Sequence, residues 1–335
     1  MGSVKAGGPN ADQPPPLRAT VGGRRGLDSG VVIATTEYEL LTTDAGLLDR
    51  PGWTVLELEG GEAAEFLQGQ VTNDVEALEP GEGCYAALLD HKGKLRTDMR
   101  VLRLAADRLL VDAEPVARPV LVHNFETYSL GRDVRSRDAT EERRVLSLIG
   151  PAARARLDAE APEHENAFVE GERGLYVATH LGVDLIVAAG EADAALKIAP
   201  AVTEDAAECV RVEAGRPRLG HDMDGTTIPQ EAGLNERAVS FTKGCYVGQE
   251  TVARLHYRGK PNRHLRGLRL SEPATHGDPI LLGEKQVGTV GSACVSPTLG
   301  PIALALVRRE ASPGDEVMVA GHTAAVAELP FAKTQ

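Results

Sequence analysis

Apolar and polar residues alternate along some segments of the chain and recur every three or four positions along others, which predicts a mixture of strands and helices. Residues 53–59 show the period of two that is typical of a strand. The other predicted strands lie at 84–89, 95–104 and 145–149, with a strand pair across 175–188. The predicted helices lie at 62–68, 115–128, 152–159, 192–198 and 205–214. Because these elements lack the regular spacing of βαβ units, the pattern favours the α+β class.

The strands at 84–89 and 95–104 flank a His91-Lys92-Gly93 turn and are predicted to form a hairpin. A period of two separates the side chains of the second strand into two sets. Leu95, Thr97, Met99 and Val101 fall on one face, and Arg96, Asp98 and Arg100 fall on the other.

The pattern changes after Pro261, where short apolar segments are separated by Gly, Pro and Asp turns. Six strands are predicted, at 264–270, 280–282, 287–295, 302–307, 316–319 and 322–329. So many short strands in one segment predict a small antiparallel β-barrel. The expected organisation is a disordered tail at 1–36, an α+β domain at 37–258 and a barrel at 259–331, with the boundary near 258–263.

Composition narrows the possible functions. The 335 residues are 42% hydrophobic and 25% charged, as in ordinary globular proteins, and the formal net charge is −13. This charge argues against a dedicated nonspecific nucleic-acid binder, because affinity for polyanions comes mainly from neutralising phosphates. We find no apolar run long enough to span a membrane and no signal-peptide core, so we expect a cytoplasmic protein without a membrane partner.

The four cysteines, Cys84, Cys209, Cys245 and Cys294, are scattered and contain no C-x-x-C pair. This spacing excludes a zinc finger and a local iron–sulfur binding run, and no metal ligand set is expected. In a reducing cytosol the thiols should be free. Any iron–sulfur role would concern clusters on other proteins or a cluster shared between chains.

Cys245 lies in KGCYVGQE at 243–250, the segment with the highest density of candidate chemistry. An apolar-periodic run follows at once, so the cysteine precedes a predicted helix start, where unpaired amides and the helix dipole favour a thiolate. Lys243 would add to this effect. The alternative is a buried cysteine in a tight turn, but the glycines on both sides favour a reactive or ligand-facing thiol.

This segment resembles the motif of the YgfZ family, folate-binding relatives of the glycine-cleavage T-protein, an aminomethyltransferase. Three other segments resemble the same family in the same order, FLQGQVTND at 66–74, LDHKGK at 89–94 and IPQEAGL at 228–234. The similarity extends from about Tyr38 to Phe331. It implies an aminomethyltransferase-like fold that binds tetrahydrofolate or a one-carbon derivative.

The resemblance also implies roles for individual residues. Cys245 matches the family's distinguishing functional residue, where aminomethyltransferases carry an acidic residue instead. No histidine lies closer in sequence than His256, so a Cys–His catalytic pair has no local support. The loops at 228–234 and 243–250 and the residues just after them are expected to line the folate cleft. The residues expected to do so are Gln230, Glu231, Lys243, Tyr246, Gln249 and Arg254.

Glu213 precedes Ala214-Gly215 near a predicted helix end, where a carboxylate could accept two N–H bonds from a pterin edge. The residues alone favour a helix C-terminus with Gly215 after its end and a solvated Glu213. The T-protein family carries its pterin-binding carboxylate in a similar segment, so the resemblance assigns this role to Glu213.

Asp98 aligns with the segment that contains the catalytic aspartate of T-proteins. Two adjacent acids occupy that place in the family, whereas here the first is Thr97. Two readings remain open: a catalytic Asp98, or a surface ion-pair ladder with Arg96 and Arg100, in which each pair contributes only ~0–1 kcal/mol.

A basic run surrounds Tyr257 in this acidic chain and comprises Arg254, Arg258, Lys260, Arg263, Arg266 and Arg269. It could hold a folate polyglutamate tail or contact RNA phosphates, or it could be a solvated linker. His221-Asp222-Met223-Asp224 contains possible metal ligands, but a polar loop beside the folate cleft is the preferred interpretation.

The resemblance therefore implies a folate-binding protein that acts in the assembly or repair of iron–sulfur proteins, with tRNA affected only indirectly. The first alternative is an aminomethyltransferase that transfers a one-carbon unit to tetrahydrofolate with Asp98 as its acid–base group. The second alternative is an RNA-contacting module built on the basic run.

Overall fold

The computed structural model describes residues 35–331, which contain seven α-helices and sixteen strands. The helices are α1 (Thr35–Thr43), α2 (Ala63–Gln70), α3 (Arg118–Tyr128), α4 (Ala192–Ala195), α5 (Glu204–Glu213), α6 (Asn235–Ala238) and α7 (Gln249–Arg258). The first ten strands are β1 (Gly46–Arg50), β2 (Thr54–Glu59), β3 (Gly83–Leu89), β4 (Leu95–Ala105), β5 (Arg108–Ala113), β6 (Arg135–Asp138), β7 (Arg143–Ile149), β8 (Phe168–Gly171), β9 (Gly174–Thr179) and β10 (Gly182–Ala188). The last six are β11 (Arg263–Leu270), β12 (Pro279–Leu282), β13 (Lys285–Ser296), β14 (Gly300–Arg308), β15 (Glu316–Val319) and β16 (His322–Ala327).

Two five-stranded antiparallel sheets form the larger part of the fold. The first has the order β3-β4-β5-β2-β6 and the second β1-β7-β10-β9-β8. One apolar cluster joins residues of both sheets, among them Leu102 and Leu110 of the first and Val145 and Ile186 of the second. The two sheets therefore share a core, as layered domains do.

Helices cover the remaining apolar faces. Phe66 of α2 and Phe125 of α3 pack edge to face, 6.1 Å between ring centroids, in the cluster that covers the first sheet. On the other side, α1 and α5 pack together with Leu48 and Ile149 of the second sheet. Thr203 caps α5 by accepting a hydrogen bond from the Ala206 amide, which defines where this helix begins.

The last six strands close into a barrel with the order β11-β14-β13-β12-β15-β16. Its interior is filled mainly by small aliphatic residues, including Val287, Val290, Ala303 and Ala305. The predicted α+β class and the predicted six-stranded antiparallel barrel are confirmed. The loop 259–262 joins α7 to β11 where the sequence predicts the domain boundary.

One predicted helix is wrong, and the predicted tail lies almost wholly outside the described residues. The helix predicted at 152–159 is absent, and this segment contains only a single 3₁₀ turn at Arg154–Arg156. The tail predicted at 1–36 lies outside the described residues up to residue 34, but Thr35 and Thr36 already belong to α1. No helix among residues 35–331 combines the length and the apolar character needed to cross a membrane.

The Asp222 carboxylate joins the barrel to the two-sheet unit. It accepts hydrogen bonds from the amide and hydroxyl of Ser292 on β13, at 2.7 and 3.0 Å. It also accepts the Arg218 amide at 2.9 Å and an Arg211 guanidinium bond at 3.0 Å. A Cβ on Gly291 would lie 2.5 Å from its Oδ1, so only glycine allows β13 to approach this closely.

We predict that Asp222→Ala lowers the free energy of unfolding by roughly 3–5 kcal/mol, because it removes one carboxylate partner of Arg211 and the acceptor of the buried Ser292 amide and hydroxyl. Urea denaturation of the variant and the wild type measures the difference. The exposed Asp107 provides the matched control, and Asp107→Ala should change stability by at most about 0.5 kcal/mol. Equal stability of the two variants would show that the carboxylate does not join the units.

Candidate functional site

A cavity of about 220 Å³ lies between the two sheets. The first sheet and its loops contribute Trp53, Tyr85, Asp98, Arg100, Asp112 and Glu114. The second sheet contributes Ser147, His180 and Asp184, and the segment before β8 contributes Glu165. Glu208 and Arg211 of α5, with Arg216, Arg218 and Arg237 from later in the chain, complete the charged part of the wall.

Arg100 pairs with two carboxylates inside the cavity. Its guanidinium donates to both oxygens of Asp112, at 2.8 and 3.1 Å, and to Asp184 at 3.0 Å. Burial lowers the pKa of Arg100, but the attraction of Asp112 and Asp184 outweighs this and raises it above its ordinary value. Arg100 is therefore stabilised as a cation by two carboxylates, which together carry one more negative charge than it can neutralise.

A second set of ion pairs surrounds α5. Arg218 donates to both oxygens of Glu114, at 2.7 and 3.1 Å, and to Glu204 at 2.8 Å. Arg211 donates to both oxygens of Glu208. Burial alone would raise the pKa of Glu208, but Arg211 and Arg218 hold it at about 2.

A third set of ion pairs is centred on Glu165. Its carboxylate lies 2.6 Å from Arg237, 3.5 Å from Arg216 and 3.8 Å from His180. The side chains of these four residues are 24–30% exposed, so this group lies toward solvent. Burial and the charge of Arg216 lower the pKa of His180 to about 4, so its ring is neutral at physiological pH.

Asp98 differs from the other carboxylates of the cavity, because no salt bridge to it is present in the described part of the chain. The Tyr85 hydroxyl donates a short hydrogen bond to its Oδ2. Burial raises the pKa of Asp98 to about 6, with the hydrogen bond from Tyr85 opposing this and the charge of Glu114 adding to it. A carboxyl group with such a pKa can exchange a proton near neutral pH.

Tyr85 and Arg237 position the Asp98 carboxyl. The Arg237 guanidinium carbon lies 4.8 Å from the centroid of the Tyr85 ring, a cation–π contact. Burial and the Asp98 charge raise the pKa of Tyr85 well above its ordinary value, so its hydroxyl keeps its proton and remains a donor. Glu165 in turn holds Arg237, which links the solvent-facing group to Asp98.

The predicted surface ladder of Arg96, Asp98 and Arg100 is wrong. Asp98 and Arg100 are each only 8% exposed. The second sheet covers the polar face of β4, because Asp184 of β10 reaches Arg100 across the cavity. The other predicted reading of Asp98, a catalytic role, stays a prediction.

Cys245 is exposed in the loop before α7. The helix begins at Gln249, after Gly248 at a φ of +83°. A Cβ at Gly248 would lie 2.5 Å from the Asp90 carbonyl oxygen, so this glycine lets the loop pack on the turn between β3 and β4. The loop that carries Cys245 is thereby fixed to the hairpin that carries Asp98.

Lys243 is buried and holds the end of α2 instead of supporting Cys245. Its ammonium group donates to the carbonyl oxygens of Gln68, Val71 and Asn73, at 2.6, 2.8 and 2.7 Å. Burial lowers the pKa of Lys243 to about 8. Since all three donors are used, the expected contact of Lys243 with a Cys245 thiolate is not made.

Glu213 lies where α5 meets α1 and the barrel, and it is not among the described residues that line the cavity. The Tyr38 hydroxyl donates to its carboxylate at 2.9 Å, and the Ser296 hydroxyl donates at 2.5 Å. In this structure the Glu213 carboxylate is therefore engaged by protein donors at the junction. Its predicted role as the pterin-binding carboxylate stays a prediction.

The other predicted cleft residues also lie outside the described cavity wall. Glu231 is buried and accepts two bonds from Arg263, at 3.2 and 2.8 Å. Tyr246 packs in an apolar cluster, and burial raises its pKa to about 12. Gln230 has a buried side-chain oxygen without a hydrogen-bond partner, Gln249 begins α7, and Arg254 is exposed. Their roles in ligand binding stay predictions.

The basic run divides into two parts. Arg254, Arg258 and Lys260 are exposed at the end of α7 and beyond it. Arg263, Arg266 and Arg269 belong to β11, where Arg263 pairs with Glu231 and Arg266 with Glu328. A role in binding RNA or a polyglutamate tail stays a prediction.

His221 and Asp222 do not form part of a metal cluster in the described residues, where no group of three His, Cys, Asp or Glu side chains is placed to hold a metal ion. Asp222 is occupied by the four protein donors at the barrel junction.

Sequence reasoning missed most of the charged wall, including Tyr85, Glu114, Glu165, Arg218 and Arg237. Their partners are far away in the chain, as Arg218 and Glu114 are 104 positions apart. The available signal was the density of arginines that follow α5, at 216, 218 and 237, in a chain with a large acidic excess.

Two family models and several curated proteins are similar to this chain. Residues 31–168 match the GCVT N-terminal domain, and residues 263–333 match the glycine cleavage T-protein C-terminal barrel domain. An aminomethyltransferase from Rubrobacter xylanophilus is 30% identical over 326 residues, which cover 88% of this chain and 85% of that protein. The tRNA-modifying protein YgfZ from Shigella boydii is 30% identical over 230 residues, 65% of this chain and 70% of that protein.

A solved structure has the same fold. The glycine cleavage system aminomethyltransferase T from Bartonella henselae superposes with a TM-score of 0.80 at 25% identity, over 89% of each chain. The predicted aminomethyltransferase-like fold is therefore confirmed.

The raised pKa of Asp98 predicts a pH-dependent stabilisation by Asp98→Asn. Folded Asp98 keeps its proton up to a pH of about 6, whereas the unfolded chain loses it near about 3.9. Between these values the folded state binds more protons, so this group makes the protein less stable as pH rises. Asp98→Asn should raise the free energy of unfolding by up to roughly 3 kcal/mol above pH 6 and should change it little below pH ~4.

Urea denaturation across this pH range measures the effect, with Asp107→Asn as the exposed control. An Asp98→Asn variant that is less stable than the wild type at pH 7.5 would mean that the aspartate is favourably ionised in the fold.

Proposed function

The chain belongs to the family that unites the glycine-cleavage T-proteins and the YgfZ proteins, and from this premise we propose that its central cavity binds tetrahydrofolate. The observation that carries the proposal is the buried Asp98 carboxyl group, which forms no salt bridge within the described residues, whereas the other carboxylates of the cavity wall each have a cationic partner. A carboxylate can accept two parallel N–H bonds from the amino-pyrimidine edge of a pterin, which gives orientation as well as affinity.

The wall of the cavity fits such a head group. Trp53 and Tyr85 supply flat aromatic surface, and Asp98 supplies the acceptor. The volume of about 220 Å³ is smaller than the roughly 300–1,000 Å³ of sites that enclose a drug-sized ligand. The cavity therefore encloses the bicyclic head, and the rest of the ligand extends toward solvent.

The solvent-facing group of Glu165, Arg216, Arg237 and His180 lies where the tail would leave. Arg216 and Arg237 share one carboxylate, Glu165, so this group has an excess of positive charge. Cationic side chains there complement the carboxylates of a glutamyl tail.

Tetrahydrofolate supplies ring nitrogens that accept or donate a one-carbon unit. The protein supplies orientation through the cavity wall and through the Asp98 carboxylate, which the Tyr85 hydroxyl holds in place. We propose that the protein, with this ligand bound, acts in the assembly or repair of iron–sulfur proteins. Effects on tRNA would then be indirect, through the enzymes that modify tRNA.

Cys245 supports this part of the proposal. It is exposed, its loop is fixed by Gly248 to the β3–β4 turn, and a partner protein can therefore reach the thiol. A relative of this chain is named a tRNA-modifying protein. The client proteins would be iron–sulfur proteins, and the cytoplasm would be the compartment.

Calorimetric titration with reduced tetrahydrofolate tests the binding proposal. We expect saturable binding to the wild type and a roughly 10–100-fold weaker affinity for Asp98→Asn, the effect of losing hydrogen bonds to a charged acceptor. Glu213→Ala is the matched comparison and should keep the wild-type affinity.

The opposite pattern, in which Glu213→Ala loses affinity and Asp98→Asn does not, would place the pterin against Glu213 as the resemblance implies. No binding by the folded wild type would contradict the proposal.

A second candidate function is aminomethyl transfer to tetrahydrofolate, which the raised pKa of Asp98 favours. A general base with a pKa of about 6 is ionised at neutral pH and is still basic enough to accept a proton from a substrate amine. The proton would move to the Asp98 carboxylate while Tyr85 continues to donate to it.

A turnover assay with an aminomethyl-loaded lipoyl carrier protein and tetrahydrofolate tests this function. The rate should rise with pH through about 6, and Asp98→Asn should reduce it roughly 100-fold or more, while Asp107→Asn leaves it unchanged. Absence of turnover under conditions where tetrahydrofolate binds would leave the accessory role as the function of the cavity.

A further inference from the structure

Two cysteine thiols from distant parts of the chain meet at the junction between the two-sheet unit and the barrel. Cys209 lies on α5 and Cys294 on β13, and their sulfur atoms are 3.1 Å apart. Cys209 is fully buried, whereas Cys294 is partly exposed. Of the other two cysteines, Cys84 is buried and Cys245 is exposed.

The pair has a carboxylate beside it. Glu213 lies one helical turn after Cys209, and its Oε1 is 3.8 Å from the Cys209 sulfur. The Tyr38 and Ser296 hydroxyls hold this carboxylate in position by donating to it. Glu213 is therefore placed to accept the Cys209 proton.

We propose that Cys209 and Cys294 are a redox-responsive pair that closes to a disulfide and covalently joins α5 to the barrel. A disulfide bond is about 2.0 Å long, so the sulfur atoms need to approach by only about 1 Å. The proposal does not depend on which ligand the cavity binds, because neither cysteine is among the described residues that line it.

The oxidant is a hydroperoxide, and the reaction has two steps. The more accessible Cys294 sulfur takes one oxygen atom from the hydroperoxide and becomes a sulfenic acid, while the hydroperoxide is reduced to its alcohol. The Cys209 sulfur then attacks the Cys294 sulfur, its proton passes to Glu213, and hydroxide leaves and is protonated to water. Two thiols and one hydroperoxide thus give one disulfide, one alcohol and one water.

The surroundings keep the pair reduced until an oxidant arrives. The hydrogen bond between the two thiols and burial raise the pKa of Cys209, so this sulfur carries its proton at rest. Since thiolates are the nucleophiles in thiol oxidation, the step depends on Cys294 reacting first and Glu213 accepting the proton of Cys209.

Closure would fix α5 to β13 at a second place. The Arg211–Asp222–Ser292 contacts already join the same two elements through ion pairing and hydrogen bonds. A covalent bond beside them would cost the unfolded chain conformational freedom and would slow separation of the barrel from α5. In a reducing compartment a disulfide of this kind is transient, so it would report an oxidising event.

Peptide mapping of the full-length protein tests the inference. The protein is reduced, freed of reductant, treated with hydrogen peroxide, alkylated and digested, and its masses are compared with those of an untreated sample. We expect a peptide pair that joins Cys209 to Cys294, lighter than the sum of the two reduced peptides by two hydrogens. Dithiothreitol should reverse it, and Cys245→Ser should form it as the wild type does.

Thermal unfolding of the same samples gives the second readout. Oxidation should raise the Tm of the wild type and of Cys245→Ser by several degrees, but it should not raise the Tm of Cys294→Ser or Cys209→Ala. The inference is overturned if oxidised wild type still has alkylated Cys209 and Cys294, or if its disulfides join Cys245 between molecules. Tetrahydrofolate binding by the reduced protein is measured separately and can succeed or fail without affecting this result.

Discussion

Pairing of charges across the central cavity is the constraint on which the candidate site depends. Six arginines line the cavity, and each has a carboxylate partner within ion-pair distance. Buried arginines cannot lose their charge, so every carboxylate that they require must be ionised and correctly placed. Asp98 is the cavity carboxyl that this pairing leaves without a cation among the described residues, and burial therefore controls its proton.

The same principle of a shared buried carboxylate organises the larger structure. Asp222 joins α5, the segment after it and the barrel through four donors, and one of them, Arg211, also holds Glu208 in the cavity wall. The barrel is thus connected to the cavity wall through Arg211 and Arg218. The Cys209–Cys294 pair lies at this junction, so a change in its redox state would act on the contact that positions the cavity wall.

The elements that local periodicity specifies were predictable, and the site was only partly so. The strands of the β3–β4 hairpin and the six barrel strands follow from alternation and turn residues. The segment 152–159 was predicted as a helix, but this alanine-rich stretch between Pro151 and Pro162 forms only one 3₁₀ turn. Asp98 was singled out as a candidate, but alternation along one strand cannot show that a second sheet covers its face. Glu165, Arg218 and Arg237 could not be found, because contacts between distant segments decide their partners.

The most direct test of the central claim is a carboxyl ¹³C NMR titration of aspartate-labelled protein, with the Asp98 resonance assigned by its absence from Asp98→Asn. The structure predicts a midpoint at a pH of about 6 for this resonance. A midpoint at or below the ordinary aspartate value of about 3.9 would contradict the account, because it would mean that a cation or a stronger set of donors stabilises the ionised Asp98 in the cavity.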